Sequence, residues 1–513
     1  MRFLYTVFLM LILVLWSSCR SDFESVESTG KLEFSRDTVY LDTIFSNISS
    51  ATYSLKVYNR SNEDIHIPNV ALGKGEDSRY RLNVDGLAGS SFNDIEIQAR
   101  DSIYIFIEAT VDLQDQQENT FLYTDVLEFR SSAHIQEVPV VTLVKDAVFL
   151  FPTKDSEGNI GTIPTGKDEN GEDLQVQGFW LSDDQLTFTN EKAYVIYGYA
   201  AVPSGKNLTI EPGARIYFHS NSGLIISENA TLQVKGTFSN DREKLENEVI
   251  FQGDLLEAER QDTPGQWGTI WFRSGSTDNI MNFTTIKNAG IGVLVEGNPG
   301  ALSPTLHVKN TQIYNSSITG LRAENAKILG ENLVVNNSGQ ASLHLSSGGN
   351  YEFRHCTFVN YWSGSFREFP SIFIEDISGS ANAGDYFRLR ISNSIIYGNE
   401  NRELLFDLRD NSNISAVFLN SLIKFKDEGN IFSEDPLYDF SNESIYPNLI
   451  LNEDPTFRNP LKNDLRLQAG SPAIDKGDPA TATQVPEDLL NISRTGAPDI
   501  GAYEWVAPEE NQE

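Results

Sequence analysis

Residues 348–364 read GGNYEFRHCTFVNYWSG and set His355 beside Cys356, with Glu352 and Arg354 before them and Tyr361 and Trp362 after. An adjacent histidine and cysteine can hold zinc, or act as base and nucleophile. Zinc requires three or four His or Cys ligands, and a cysteine nucleophile requires a separately placed base. The stretch offers neither. The pair is therefore expected to be scaffold, with no catalytic residue and no metal site.

What surrounds the pair supports this expectation. The segments LHVKNTQIYNSS, ILGENLVVNNSG, YEFRHCTFVNYW, LRISNSIIYGN and VFLNSLIKF fall into one register. One column runs Phe283, Asn310, Asn332, His355, Asn393, Asn420. Three residues on, Ile286, Ile313, Val335, Phe358, Ile396 and Ile423 form an apolar column. Two further on stand Asn288, Asn315, Asn337, Asn360, Gly398 and Phe425. A period of 22 to 27 residues with an apolar column marks a solenoid, and the single gap of 38 marks an inserted loop. Short strands in turns of that length predict a parallel β-helix, with apolar residues filling the tube and Asn bridging its corners. His355 takes an Asn slot, which an imidazole can fill because it also offers one donor and one acceptor. Cys356 aligns with Thr311, Leu333, Ser394 and Ser421, a position open to small or apolar side chains.

Residues between the inward columns must point outward. One such column is His307, Leu329, Glu352, Arg390, Val417, and the next is Lys309, Glu331, Arg354, Ser392, Leu419. Stacked strands about 4.8 Å apart would gather His307, Lys309, Glu331, Glu352, Arg354 and Arg390 on one face, with Tyr361 and Trp362 at a corner. Such a face can hold a polysaccharide, whose hydroxyls take bidentate polar partners and whose rings stack on aromatics. It can equally be a solvated face laced by cross-strand ion pairs.

The elements that carry this face belong to an exported, all-β chain. A basic residue, an apolar run from Phe3 to Trp16 and then Ser17, Ser18 and Cys19 make an export signal too short to span a bilayer. It resembles the bacterial lipoprotein signal, which implies that Cys19 is lipidated and anchors the chain in a membrane. Only two cysteines occur in 513 residues, so Cys356 is left without a partner and no disulfide holds the fold. The formal charge of -33 repels nucleic acid and anionic head groups, which argues against DNA or RNA partners.

The expected layout is a signal at 1–18, a tether at 19–30, a β-sandwich at 31–146 and a connecting loop region at 147–185. A parallel β-helix at 186–428, its C-terminal cap at 429–505 and an acidic tail at 506–513 follow. In the loop region Asp168, Asn170, Gly171 and Asp173 partly match a calcium loop, although their spacing is not that of an EF-hand and a solvated acidic turn explains them as well. No other cofactor is indicated. The stretches DTVYLDTIF, LKVYN and NVDG followed by DSIYIFIEATVD resemble an immunoglobulin-like module of Bacteroidetes surface lipoproteins. TPGQWGTIWFRSGSTDNIMNFTTIKNAGIGV and the closing GSPAIDKGDPA and APDIGAYEW resemble right-handed parallel β-helix proteins of the pectin-lyase-like superfamily. That resemblance implies a fold and an export route. Lyases of the group need a cation and an acid cluster for the substrate carboxylate, and Arg354 and Arg390 have no Asp cluster in their columns.

The expected function is a non-catalytic, outer-membrane, cell-surface lipoprotein that presents its β-helix to a glycan or an envelope protein. The alternatives are a lyase or hydrolase acting on acidic polysaccharides, and an accessory subunit of an outer-membrane complex.

Overall fold

The computed structural model describes residues 25–507, apart from residues 30, 113–119, 133, 168–169, 257–259, 298–301, 377–385 and 410. Residues 1–18 and Cys19 therefore lie outside the described residues. The chain forms two units, residues 1–146 and 147–513.

The first unit is a β-sandwich. Its strands alternate buried and exposed residues, as in Ser91–Ile97 and Ser102–Ala109, so each sheet has one apolar face. Sheets of six and five strands close on a shared core that includes Val39, Leu55, Val57, Ile105, Leu127 and Val140. The described part of the expected tether is not free. Val26–Glu27 adds a parallel strand to Ile65–His66, with the Val26 amide donating to the Asp64 carbonyl at 2.9 Å and that of Ser28 to His66 at 2.8 Å. A sheet edge presents unpaired backbone groups, and the segment saturates them.

The second unit is a parallel β-helix whose coils each contribute to three sheets. The first sheet includes Ala193–Ile196, Arg215–Phe218, Thr357–Asn360 and Ile395–Gly398. Tyr199–Val202, Gly223–Ile226, Ile270–Phe272 and Ile372–Glu375 belong to the second, and Asn207–Ile210, Phe387–Ser392 and Ile414–Leu419 to the third. The coil begins earlier than the sequence suggests. In the expected loop region, Ala147–Leu150 pairs with Ala193–Ile196, and the end of Asp173–Trp180 pairs with Tyr199–Ala201. Thr162–Lys167 and Asp173–Trp180 form a hairpin, with Ile163 packed on Ala201 and Ile225 of the second sheet. Its Pro164, Gly166 and acidic turn hide these strands from a propensity reading.

The helix also runs past residue 428, since Ile450–Leu451 pairs with Leu422–Ile423. The expected cap divides in two. Leu437, Tyr438 and Tyr446 join the core of the tube, whereas residues 457–505 lie along its side. There Phe457, Leu465, Ile500 and Tyr503 cover the outward row Val334, Thr357, Ile395 and Leu422 of the first sheet, with Val359 beside it. An exposed row of that kind is costly in water, and the C-terminal segment removes it from solvent.

Candidate functional site

At the corner between the third and first sheets the backbone turns in a single residue. Phe283, Asn310, Asn332, His355, Asn393 and Asn420 all occupy the left-handed region, with φ between 41° and 50°. Asn tolerates that conformation and its amide links neighbouring coils. Asn332 Nδ2 donates to Asn310 Oδ1 at 2.8 Å, and Asn310 Nδ2 to Asn282 Oδ1 at 3.0 Å. His355 continues the ladder, because Asn393 Nδ2 lies 2.9 Å from its Nε2. The ring is fully buried; burial and the Arg494 charge hold its pKa well below the usual range, against the backbone of Gly501 and Asp499. Cys356 is also fully buried, and burial pushes its thiol up to about 12. A neutral ring and a protonated thiol inside the wall have no access to a substrate.

The outward columns of the third sheet pair in the expected register: Lys309 with Glu331, Glu331 with Arg354, and Glu352 with Arg390. Glu331 is the hub. It accepts from His307 Nε2 at 3.0 Å and Arg354 Nη1 at 2.9 Å, and Lys309 Nζ lies at 3.3 Å. Arg354 also donates to Glu352 Oε1, at 2.8 and 3.0 Å. Burial alone would raise the Glu331 carboxyl, but hydrogen bonds and charges from His307 and Lys309 outweigh it and hold the group at about 2. His307, Lys309, Glu331, Glu352 and Arg354 thus form one closed ion cluster. Arg390 is exposed beside it and makes no ion pair among the described residues. Tyr361 and Trp362 stand apart, beyond the corner and the first-sheet strand Thr357–Asn360. The Tyr361 ring meets Phe457 edge to face at 6.3 Å, within the C-terminal contact, and Trp362 Nε1 donates to Ser365 Oγ at 3.0 Å. In the turn with the calcium-like residues, Lys167 Nζ lies 3.2 Å from Asp173 and 3.3 Å from the Gly171 carbonyl, while Asp168 is outside the described residues.

A second surface was not anticipated from the sequence. The outward row of the second sheet runs Trp180, Ala201, Ile225, Trp271, Leu294, Arg322, His344, Phe373, Leu405, each paired with the next. Eight steps of about 4.8 Å make a stripe about 38 Å long, in which Ala201, Ile225, His344 and Phe373 are buried and Trp180, Trp271, Leu294, Arg322 and Leu405 reach the surface. At one end a cleft of about 700 Å³ lies between the hairpin and this sheet, lined by Pro164, Trp180, Glu228, Arg273 and Asn325 among others. Trp180 is 49% exposed in it. Glu296 orients the neighbouring groups, accepting from Trp271 Nε1 at 3.0 Å and Arg273 Nε at 2.9 Å. The Arg273 guanidinium lies 4.5 Å from the Trp271 ring centre. The buried Oδ1 of Asn325 has no hydrogen-bond partner among the described residues.

Further along, His344 Nε2 lies 2.7 Å from Glu375 Oε1, and the His344 and Phe373 rings are 5.2 Å apart. Burial lowers the His344 pKa, Glu375 acts against this, and Arg322 adds to the lowering. Beside this stripe Glu296, Glu324, Ser346, Glu375 and Asp407 form a second outward row. The accessible part of this surface combines the Trp180 and Trp271 rings with Arg273, Arg322 and carboxylates, groups that stack on sugar rings and bond their hydroxyls. The available signal was the pair of tryptophans in QGFW and TIWF, one at the end of a strand and one in the middle of a short apolar one.

The description "Right handed beta helix region" belongs to a family model that matches residues 177–358. The solenoid is a right-handed parallel β-helix. No curated protein sequence matches the chain. Among solved structures, the catalytic unit of a GH87 α-1,3-glucanase from Streptomyces thermodiastaticus strain HF3-3 is similar at 10% identity, over 72% of each chain, with a TM-score of 0.20. The periplasmic chaperone SfaE is similar at 9% identity, over 28% of this chain and 81% of its own, with a TM-score of 0.14. Such distant likenesses carry no functional weight. The fold assignment rests on the family match and on the paired coils.

Proposed function

We propose that the protein is an exported, lipid-anchored cell-surface protein whose β-helix holds a polysaccharide in the cleft and stripe of the second sheet. The observation that carries this reading is the cleft of about 700 Å³, with Trp180 exposed and Arg273, Glu228 and Asn325 around it. An apolar platform with a few convergent polar groups suits a sugar chain, whose ring faces are apolar and whose rim is hydroxylated. The third-sheet cluster suits it less, because Glu331 and Glu352 already engage His307, Lys309 and Arg354. Export and anchoring follow from the sequence at Cys19, and an outer-membrane, surface-exposed location completes the reading. A second reading, cleavage of the bound polysaccharide, draws on the Glu324, Glu375 and Asp407 row beside His344. The two separate in one experiment. Native gels cast with different polysaccharides should retard the protein, and incubation should release no shorter chains. Retardation in none of them contradicts the binding reading, and release of fragments turns the assignment to an enzyme.

A further inference from the structure

The segment that lies along the first sheet is fastened by an unusual charge arrangement. Asp488, Arg494 and Asp499 are 1%, 2% and 2% exposed, and the Glu504 side chain is 8% exposed. Arg494 pairs with Glu504 and also donates to Asn332 Oδ1 of the corner ladder at 2.9 Å. The clustered ionisable groups are three carboxylates against one guanidinium. Asp475 adds a further negative charge near Asp499. From the β-helix side the buried His355 ring lies near Arg494, which opposes its protonation, so among the described residues this ring does not offset the excess. Arg242 and Asp464 act on the neighbouring Tyr503.

The same residues form the fastening itself. The Glu504 amide donates to Asp488 Oδ2 at 2.8 Å, and those of Leu490 and Ile492 donate to Asp488 Oδ1, both at 2.7 Å. The Asp475 amide donates to Asp499 Oδ1 at 2.8 Å, and the Gly501 amide to the Asn393 carbonyl at 2.8 Å. Asp488 and Asp499 are needed as acceptors of short amide bonds, whereas Glu504 accepts from the Arg494 guanidinium through Oε1 and takes only longer contacts, at 3.1 and 3.3 Å, from the Asp499 amide. Its Oε2 can carry a proton while Oε1 keeps the Arg494 guanidinium, so the amide bonds of the fastening stay in place.

We propose that residues 457–505 are a proton-dependent clasp, held most tightly to the β-helix when the Asp488, Asp499 and Glu504 cluster carries a proton and loosened when all three are ionised. Burial supports this direction: it raises the Glu504 carboxyl to about 7 and raises Asp488 and Asp499 as well, with Arg494 only partly opposing it. A carboxyl raised in the docked state favours docking fully below its undocked value, near the ordinary 4.5, and this contribution is lost as pH rises through about 7.

Hydrogen exchange on the full chain, corrected for the intrinsic pH dependence, tests the clasp. Protection of the Leu490, Ile492 and Glu504 amides should fall between pH 4.5 and 7.5, by about 100-fold from Glu504 alone. First-sheet strand amides at 395–398 should not follow. Glu504→Gln removes the titrating proton and should flatten the profile across the same amides. Protection of the wild-type amides that is constant over this range overturns the proposal without recourse to any variant. So does a Glu504→Gln protein, with its strand amides protected as in the wild type, that keeps the full pH dependence.

Discussion

Replacing Glu331 by Gln keeps the side chain's shape and removes its charge, leaving His307, Lys309 and Arg354 without their shared carboxylate. The Glu331 side chain is only 9% exposed, so water cannot restore much of what is lost. Its carboxyl is held at about 2 against an ordinary 4.5, and at about 1.4 kcal/mol per pH unit this corresponds to roughly 3 kcal/mol at neutral pH. The depressed value fixes the sign. The stabilisation is fully present above about 4.5 and is lost as pH falls through about 2. Solenoids unfold in neighbouring blocks, so the assay should read the third sheet locally, by hydrogen exchange of strand amides in 326–331 and 349–354. At pH 7 Glu331→Gln should lower their protection by roughly 3 kcal/mol, and the difference from wild type should shrink as pH approaches 2. A loss below about 0.5 kcal/mol at pH 7, or a difference that stays constant through acid, would refute the hub role of Glu331.

Three further outcomes are expected. Cys19→Ala should release the protein from the membrane fraction, since two or more acyl chains at about 0.8 kcal/mol per buried methylene make the anchor stable; retention in that fraction would contradict lipid anchoring. Cys356 should resist alkylation at pH 8 until the chain is unfolded, because its thiol is raised to about 12 and fully buried, and rapid labelling of the native protein would contradict this. His355→Asn should retain the ladder to Asn393 and shift stability by less than about 1 kcal/mol, whereas His355→Leu should cost about 1–3 kcal/mol by leaving one N–H of the Asn393 amide unpaired in a buried corner, the other being held by the Asp478 carbonyl.

The coils were legible because their constraint recurs. A left-handed corner every 22 to 27 residues admits few side chains, so Asn310, Asn332, Asn393 and Asn420 repeat and His355 is recognisable as their substitute. The outward register of Lys309, Glu331 and Arg354 follows at once from the spacing. That these groups neutralise one another was not legible, since the alternation places charges on a face without stating which bonds they form. The second-sheet stripe escaped detection because insertions of unequal length separate its strands: Ile225, Trp271 and Leu294 are adjacent in space at irregular intervals in sequence. The side-lying C-terminal segment has no repeat of its own. Leu465, Ile500 and Tyr503 look like an end cap until Val334, Val359 and Ile395 are seen to form an apolar patch that needs covering.

The central claim is that a polysaccharide is held on the second sheet, and calorimetric titration of two variants against any chain that retards the wild type tests it most directly. Trp180→Ala removes a stacking platform worth about 0.5–1.5 kcal/mol beyond its buried area, so affinity should fall by about 3- to 10-fold or more. Arg354→Ala with Arg390→Ala alters the third sheet and should leave that affinity within about twofold. If the double arginine variant loses binding and Trp180→Ala keeps it, the ligand lies on the third sheet and the account is wrong.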